Sequence, residues 1–161
     1  MTTLGDVELP HLDEHGAARM IDVSDKAVTS RTARARGTFR TTHHVVELLR
    51  TNGLEKGDAL AVARIAAIAG AKKTSDLVPL CHPIPLHGVS VDLVLHDDCV
   101  VIEVETRTAD RTGVEMEALT AVAAAGLALY DMVKKVDRAA VLTDVCLLSK
   151  SGGRTGEWER A

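Results

Sequence analysis

The chain has 161 residues, 46% hydrophobic and 26% charged, with a formal net charge of −4 at pH 7. That length suits one domain of ~100–200 residues, which buries roughly 68–70% of its extended surface and needs no disulfide or metal staple. The acidic balance excludes a global basic field for DNA or membrane. With three aromatics, Phe39, Tyr130 and Trp158, there is almost nothing on which nucleic-acid bases could stack.

Cys81, Cys99 and Cys146 stand far apart, with no C-x-x-C spacing. That argues against a disulfide framework and a structural zinc site, and fits a reducing compartment. The first sixteen residues contain neither a basic n-region nor an apolar h-region. The longest uncharged apolar run, between Glu117 and Asp131, falls short of the ~20 residues that span a bilayer. A soluble cytoplasmic protein is expected.

Residues 1–20 are polar and aperiodic and read as a flexible N-terminal arm, leaving 21–158 as a single domain. From Arg31 to Arg40, Ala33, Ala35, Gly37 and Phe39 alternate with Arg34, Arg36, Thr38 and Arg40. That is a half-buried strand with a basic outer face. Thr41 or Thr42 can cap a short helix to about Arg50, which Asn52-Gly53 ends. Asp58 is a suitable N-cap for a helix from Ala59 to Lys72. Its apolar residues almost encircle it, broken by Arg64, so it should be largely buried. Three prolines in LVPLCHPIPL, residues 77–86, exclude a helix interior or a central strand.

Val89, Val91, Leu93 and Leu95 mark a second strand. After a turn at Asp97-Asp98, Val100, Ile102 and Val104 mark a third, to about Glu105. Thr112-Gly-Val-Glu115 matches a capping box opening a helix to about Val136. A last strand spans about Val141 to Leu148 and breaks at Ser149 to Gly153. The order β, α(α), β, β, α, β is the split βαβ, ferredoxin-like pattern. An α+β fold follows, with an antiparallel sheet and helices on one face.

Several residues could carry chemistry. Lys56, in a glycine-flanked loop before a helix, could act as an acid or base, or sit solvated. Cys81-His82 is held between Pro79 and Pro83, as a site requires, although a satisfied histidine in a proline-rich turn explains it equally well. Glu115 and Glu117 lie about 200° apart on a helix, so they are no carboxylate pair. Glu115 has a capping role, and Glu117 is less explained. Asp131 and Lys134, at i and i+3, emerge from an apolar helix as a pocket-rim pair or an exposed ion pair. Lys150-Ser-Gly-Gly-Arg154 could turn amides toward a phosphate, or be a flexible tail. Arg31 with Arg34, Arg36 and Arg40 could help hold a polyanion, or form a solvated face. Together these suggest a phosphorylated small molecule, Lys/His/Asp acid–base groups and no metal centre.

The strings MIDVSDK, KGDALAVARIA, KKTSDLVPLCHPIPL, TGVEMEALTA, LYDMVKK and LLSKSGG, in this order, resemble the molybdenum-cofactor biosynthesis protein C family, the cyclic pyranopterin monophosphate synthases. The likeness runs from about Leu9 to Trp158. It implies a ferredoxin-like fold and a hexamer, a trimer of dimers, with active sites at dimer interfaces. It also implies conversion of 3′,8-cyclised dihydro-GTP to cyclic pyranopterin monophosphate with loss of pyrophosphate. No redox cofactor is implied, and a divalent cation such as Mg2+ can assist the triphosphate. The family's catalytic positions fall on Lys56, Asp131 and Lys134. Its substrate-binding positions fall on Arg31, Cys81, His82, Glu115, Met116, Glu117 and Lys150. Ala67, Gly70, Val133 and Arg154 depart from the family pattern beside these positions.

Two rivals remain at this stage. A non-catalytic ligand-sensing module on the same frame would bind a nucleotide-like anion without turnover. An RNA-binding domain on a βαββαβ frame would need sheet aromatics that this chain lacks.

Overall fold

The alternation that begins near Arg31 forms the central strand. In the computed structural model, which describes residues 12, 13, 15–154 and 156–161, β1 runs Thr29–Arg40. Ala33, Ala35 and Phe39 are buried, and Arg34, Arg36 and Arg40 are exposed on the other face. Arg31 has the parity of Ala33, so it sits on the opposite face from that basic row. Arg31 and the Arg34, Arg36, Arg40 face therefore look to opposite sides of the sheet, so they are not placed to hold one polyanion together.

β2 spans Gly88–Leu95 and β3 spans Cys99–Asp110. β3 outlasts its expected end because its last inward residues are Thr106 and Thr108, whose polarity hides the alternation. Both are buried. Thr106 donates its hydroxyl to the Val114 carbonyl at 3.0 Å, and Thr108 to the Pro85 carbonyl at 2.6 Å. Burial is tolerated because each hydroxyl finds a partner. β4 spans Val141–Ser151 and β5 spans Trp158–Glu159. β4 therefore continues through the expected break, and Lys150 pairs with Ala33 on one side and Trp158 on the other. The antiparallel sheet has the order β2-β3-β1-β4-β5.

α1 (His43–Arg50) is capped by Thr42, whose side chain accepts from the Val45 N–H. α2 (Ala59–Ala71) is capped by Asp58, which accepts from Ala61 N–H at 2.9 Å. A four-residue α3 (Thr74–Leu77) leads into the proline-rich loop. α4 (Glu115–Val133) follows β3. The capping box does not form: Val114 precedes the helix, and no side chain caps it. The Glu115 carboxylate instead lies over Gly113, where no Cβ would fit.

α4 packs on β1, β3 and β4, and α2 lies beside it and against β2. α4 is long and apolar enough to cross a bilayer by those measures alone. Here Ala118, Ala121, Val122, Ala125 and Leu129 are buried in the sheet–helix core around Phe39 and Ile102. α2 buries one stripe, Ala59, Ala63, Ala67 and Ala71, while Val62 and Ile65 face outward. Less of it is buried than its composition suggests, because α2 packs on α4 and β2 and leaves its other flank exposed. Helix and helix meet closely through glycine: a Cβ on Gly70 would stand 2.5 Å from Ala124 Cβ.

Of the expected N-terminal arm, residues 1–11 and 14 lie outside the described residues. Leu12 bridges to Ala18, and Asp13 accepts from the N–H groups of His15 and Ala17.

Candidate functional site

The chemistry-bearing residues collect at the two ends of α4. At its C-terminal end, the Asp131 carboxylate is shared by two lysines. Lys56 donates to Oδ2 at 2.8 Å and to the Asp131 backbone carbonyl at 2.7 Å. Lys134, one turn on, approaches Oδ1 at 2.7 Å. The loop before α2 brings Lys56 here. Gly57, at φ +92°, turns the backbone between Lys56 and the Asp58 cap. The bonds from Lys134 and then Lys56 hold the Asp131 carboxyl down to about 2, and Asp131 in turn raises Lys134 above its ordinary value. All three side chains remain open to solvent. The triad is thus a carboxylate fixed in its charged form between two ammonium groups.

At the N-terminal end of α4, two adjoining clefts share Lys26, Thr112, Gly113 and Glu115. The larger, about 690 Å³, is strongly basic, with Lys26, Arg31, Arg111, Lys150 and Arg154 on its walls. The Arg31 guanidinium lies on Gly153, leaving no room for a Cβ there, and its Nε donates to the Asp110 carbonyl at 2.9 Å. Gly152 and Gly153 take φ of +90° and +73°, so the backbone turns sharply as β4 ends. Such a cleft suits a polyphosphate.

The smaller cleft, about 200 Å³, is lined by Cys81, His82, Glu115, Met116 and Glu117, with Ile21 and Val23 closing one side. Glu117 is 4% exposed. Burial pushes its carboxyl up to about 7, its own backbone N–H opposes that, and Glu115 adds to it. It therefore exchanges a proton near neutrality. Burial and then Glu117 raise the Cys81 thiol, so Cys81 is no ready thiolate. His82 Nε2 lies 2.8 Å from the Ile21 carbonyl. Thr108 and Thr106 hold the walls of this cleft, through Pro85 on the proline-rich loop and Val114 before α4.

The fold brings Arg31, Cys81, His82, Glu115, Met116, Glu117 and Lys150 together. It does not bring them to Lys56, Asp131 and Lys134. Fourteen residues separate Glu117 from Asp131 along α4, about 20 Å at 1.5 Å per residue. Lys26 and Arg111 were missed by the sequence reasoning. Each is a single cation in a loop, with no local pattern to single it out.

The model of the MoaC family matches residues 20–153. The chain belongs to the MoaC family. The matched stretch contains every candidate residue named above except Arg154. Among curated relatives, a Streptomyces coelicolor protein named cyclic pyranopterin monophosphate synthase is 60% identical over 153 residues, covering 95% of this chain and 90% of the relative. A Mycobacterium tuberculosis protein named cyclic pyranopterin monophosphate synthase 2 is 56% identical over 153 residues, covering 95% and 92%. One from Thermomicrobium roseum, with the first name, is 52% identical over 155 residues, covering 95% and 93%. The ferredoxin-like order of elements and the MoaC membership agree with the resemblance carried by the motifs.

Proposed function

We propose that this MoaC-family chain is a cyclic pyranopterin monophosphate synthase of the lyase class, acting in the cytoplasm in molybdenum cofactor biosynthesis. It converts 3′,8-cyclised dihydro-GTP to cyclic pyranopterin monophosphate and releases pyrophosphate. The observation that carries this reading is the Lys56–Asp131–Lys134 triad in a chain 60% identical to a protein of that name.

One site is built from both ends of α4, contributed by neighbouring protomers of a hexamer. Ile65 and Leu127, 68% and 71% exposed on the helical layer, support a partner copy on that face. Lys134, held protonated by Asp131, donates a proton as the purine ring opens, and Lys56 exchanges one as the pterin ring closes. His82 relays a proton or binds the substrate beside Glu115, Met116, Glu117 and Cys81. Arg31 and Lys150, with the backbone at Gly152-Gly153, offset the charge of the departing pyrophosphate. Among the described residues, no group of three or more His, Cys, Asp or Glu side chains gathers to hold a metal. As the family resemblance implies, a divalent cation such as Mg2+ can assist the triphosphate, and the proposed reaction calls for no redox cofactor. The test is formation of the pterin product by the purified protein. Binding of the cyclised compound without turnover would favour a sensing module instead.

A further inference from the structure

A run of hydrogen bonds holds residues 21–26 against the smaller cleft. Asp22 Oδ1 accepts from the Ser24 N–H at 2.8 Å and from the Ser24 hydroxyl at 2.5 Å, closing a tight turn. The Lys26 N–H donates to the Val23 carbonyl at 3.1 Å, and Arg111 Nε donates to the Lys26 carbonyl at 2.9 Å. At the near end, the Ile21 carbonyl faces His82 Nε2 at 2.8 Å. A carbonyl can only accept, so the hydrogen is on Nε2. In the neutral ring Nδ1 is then bare. Nε2 is occupied, which leaves Nδ1 as the ring nitrogen open to a ligand.

We propose that Asp22 is a positioning residue for His82: its turn onto Ser24 presents the Ile21 carbonyl to Nε2 and so fixes Nδ1 as the nitrogen offered to the substrate. This rests on the reading of His82 as a substrate-contacting group. Asp22 is itself exposed; it lines neither of the two clefts described above, but it does line an adjoining cleft of about 540 Å³ together with Ile21, Ser24, His82 and Arg111. It acts through the peptide group that joins it to Ile21, as outer partners of histidine do when they fix its tautomer. Its bonds from Ser24 hold the carboxyl below the ordinary range, and its negative charge also faces His82. Turn and charge are separable. Asp22→Asn would keep the acceptor of the turn and lose the charge, whereas Asp22→Ala would lose both.

The experiment compares the full-length protein with Asp22→Ala, Asp22→Asn and Ser24→Ala. Nitrogen-15 spectra of the histidine rings, taken without substrate, read the tautomer, with His82 assigned by its loss in His82→Ala. Turnover of the cyclised GTP compound reads kcat and KM. The wild type is expected in the Nε2–H form. Asp22→Ala is expected to mix the tautomers and lower kcat about 10-fold with little change in KM. Asp22→Asn should match the wild type, and Ser24→Ala, which keeps the backbone donor, should show a smaller loss. An Nδ1–H ring in the wild type overturns the proposal, as does an unchanged tautomer and kcat in Asp22→Ala. Equal damage from the asparagine and alanine variants assigns the effect to charge and also overturns it. A wild-type rate in His82→Ala overturns the underlying reading of His82. A wrong tautomer with a slow His82→Ala overturns the proposal alone.

Discussion

Lys56 grips Asp131 twice, by the carboxylate at 2.8 Å and by the backbone carbonyl at 2.7 Å, across 75 positions of sequence. The contact ties the loop before α2 to the last turn of α4 and leaves the other carboxylate oxygen to Lys134. Asp131 lies below its unfolded value of 3.8, so its contribution is present above pH 3.8 and is lost as pH falls through about 2. Lys134 lies above 10.5, so its contribution is present below that pH and is lost as pH rises past its raised value. Asp131 and Lys134 therefore both stay charged throughout the neutral range. Asp131→Asn should cut kcat/KM by at least about 10²-fold with the circular dichroism spectrum unchanged. A loss of less than about threefold, well short of that general acid–base range, would remove Asp131 from the reaction.

Lys56→Ala and Lys134→Ala should each lose orders of magnitude in turnover while the proposed hexamer persists by light scattering. The two ends of α4 are about 20 Å apart, and on the proposed reading each site draws on two protomers. Mixing inactive Lys134→Ala with inactive His82→Ala, followed by subunit exchange, should restore part of the activity. No recovery after demonstrated exchange would confine each site to one chain.

Glu117 sets the stability of the smaller cleft against pH. Its folded value, about 7, stands above the ordinary 4.5. Its contribution is fully present below pH 4.5 and is lost as pH rises through about 7, because the buried carboxyl must then ionise. The loss is on the order of 3 kcal/mol from the size of the shift. Glu117→Gln should flatten the fall in unfolding free energy between about pH 4.5 and 7 in denaturant titrations. An unchanged pH slope would show that Glu117 ionises elsewhere.

Gly70 allows α2 to lie directly on α4. A Cβ there would stand 2.5 Å from Ala124 Cβ and 3.4 Å from the Thr120 carbonyl. Alanine gains roughly 1 kcal/mol of helix propensity, but overpacking costs about 1–3 kcal/mol. The short Ala124 side chain cannot swing aside, so the clash wins. Gly70→Ala should lower the melting temperature, and the double variant Gly70→Ala/Ala124→Gly should recover it. An unchanged melting temperature for the single variant would show that the helices separate easily.

Strand and helix periods made most of the fold legible. The alternation in β1, the caps Thr42 and Asp58, and the order of elements stand as read. The misses have local causes. β3 outruns its apolar pattern where its buried residues are threonines bonded to carbonyls, and β4 does so where Lys150 and Ser151 interrupt an apolar run. The capping box at Thr112 fails because Val114, not Thr112, precedes the helix. Lys56, His82 and Asp131 stand out as candidates in the sequence. Their separation to opposite ends of one helix does not, because it depends on where a loop docks 75 residues away.

The most direct measurement is pyrophosphate release by the purified protein from enzymatically prepared 3′,8-cyclised dihydro-GTP, with GTP as the control. The account predicts one pyrophosphate per pterin formed, from the cyclised compound alone, and none from GTP. Tight binding of the cyclised compound with no release, under conditions where a curated relative turns over, would contradict it.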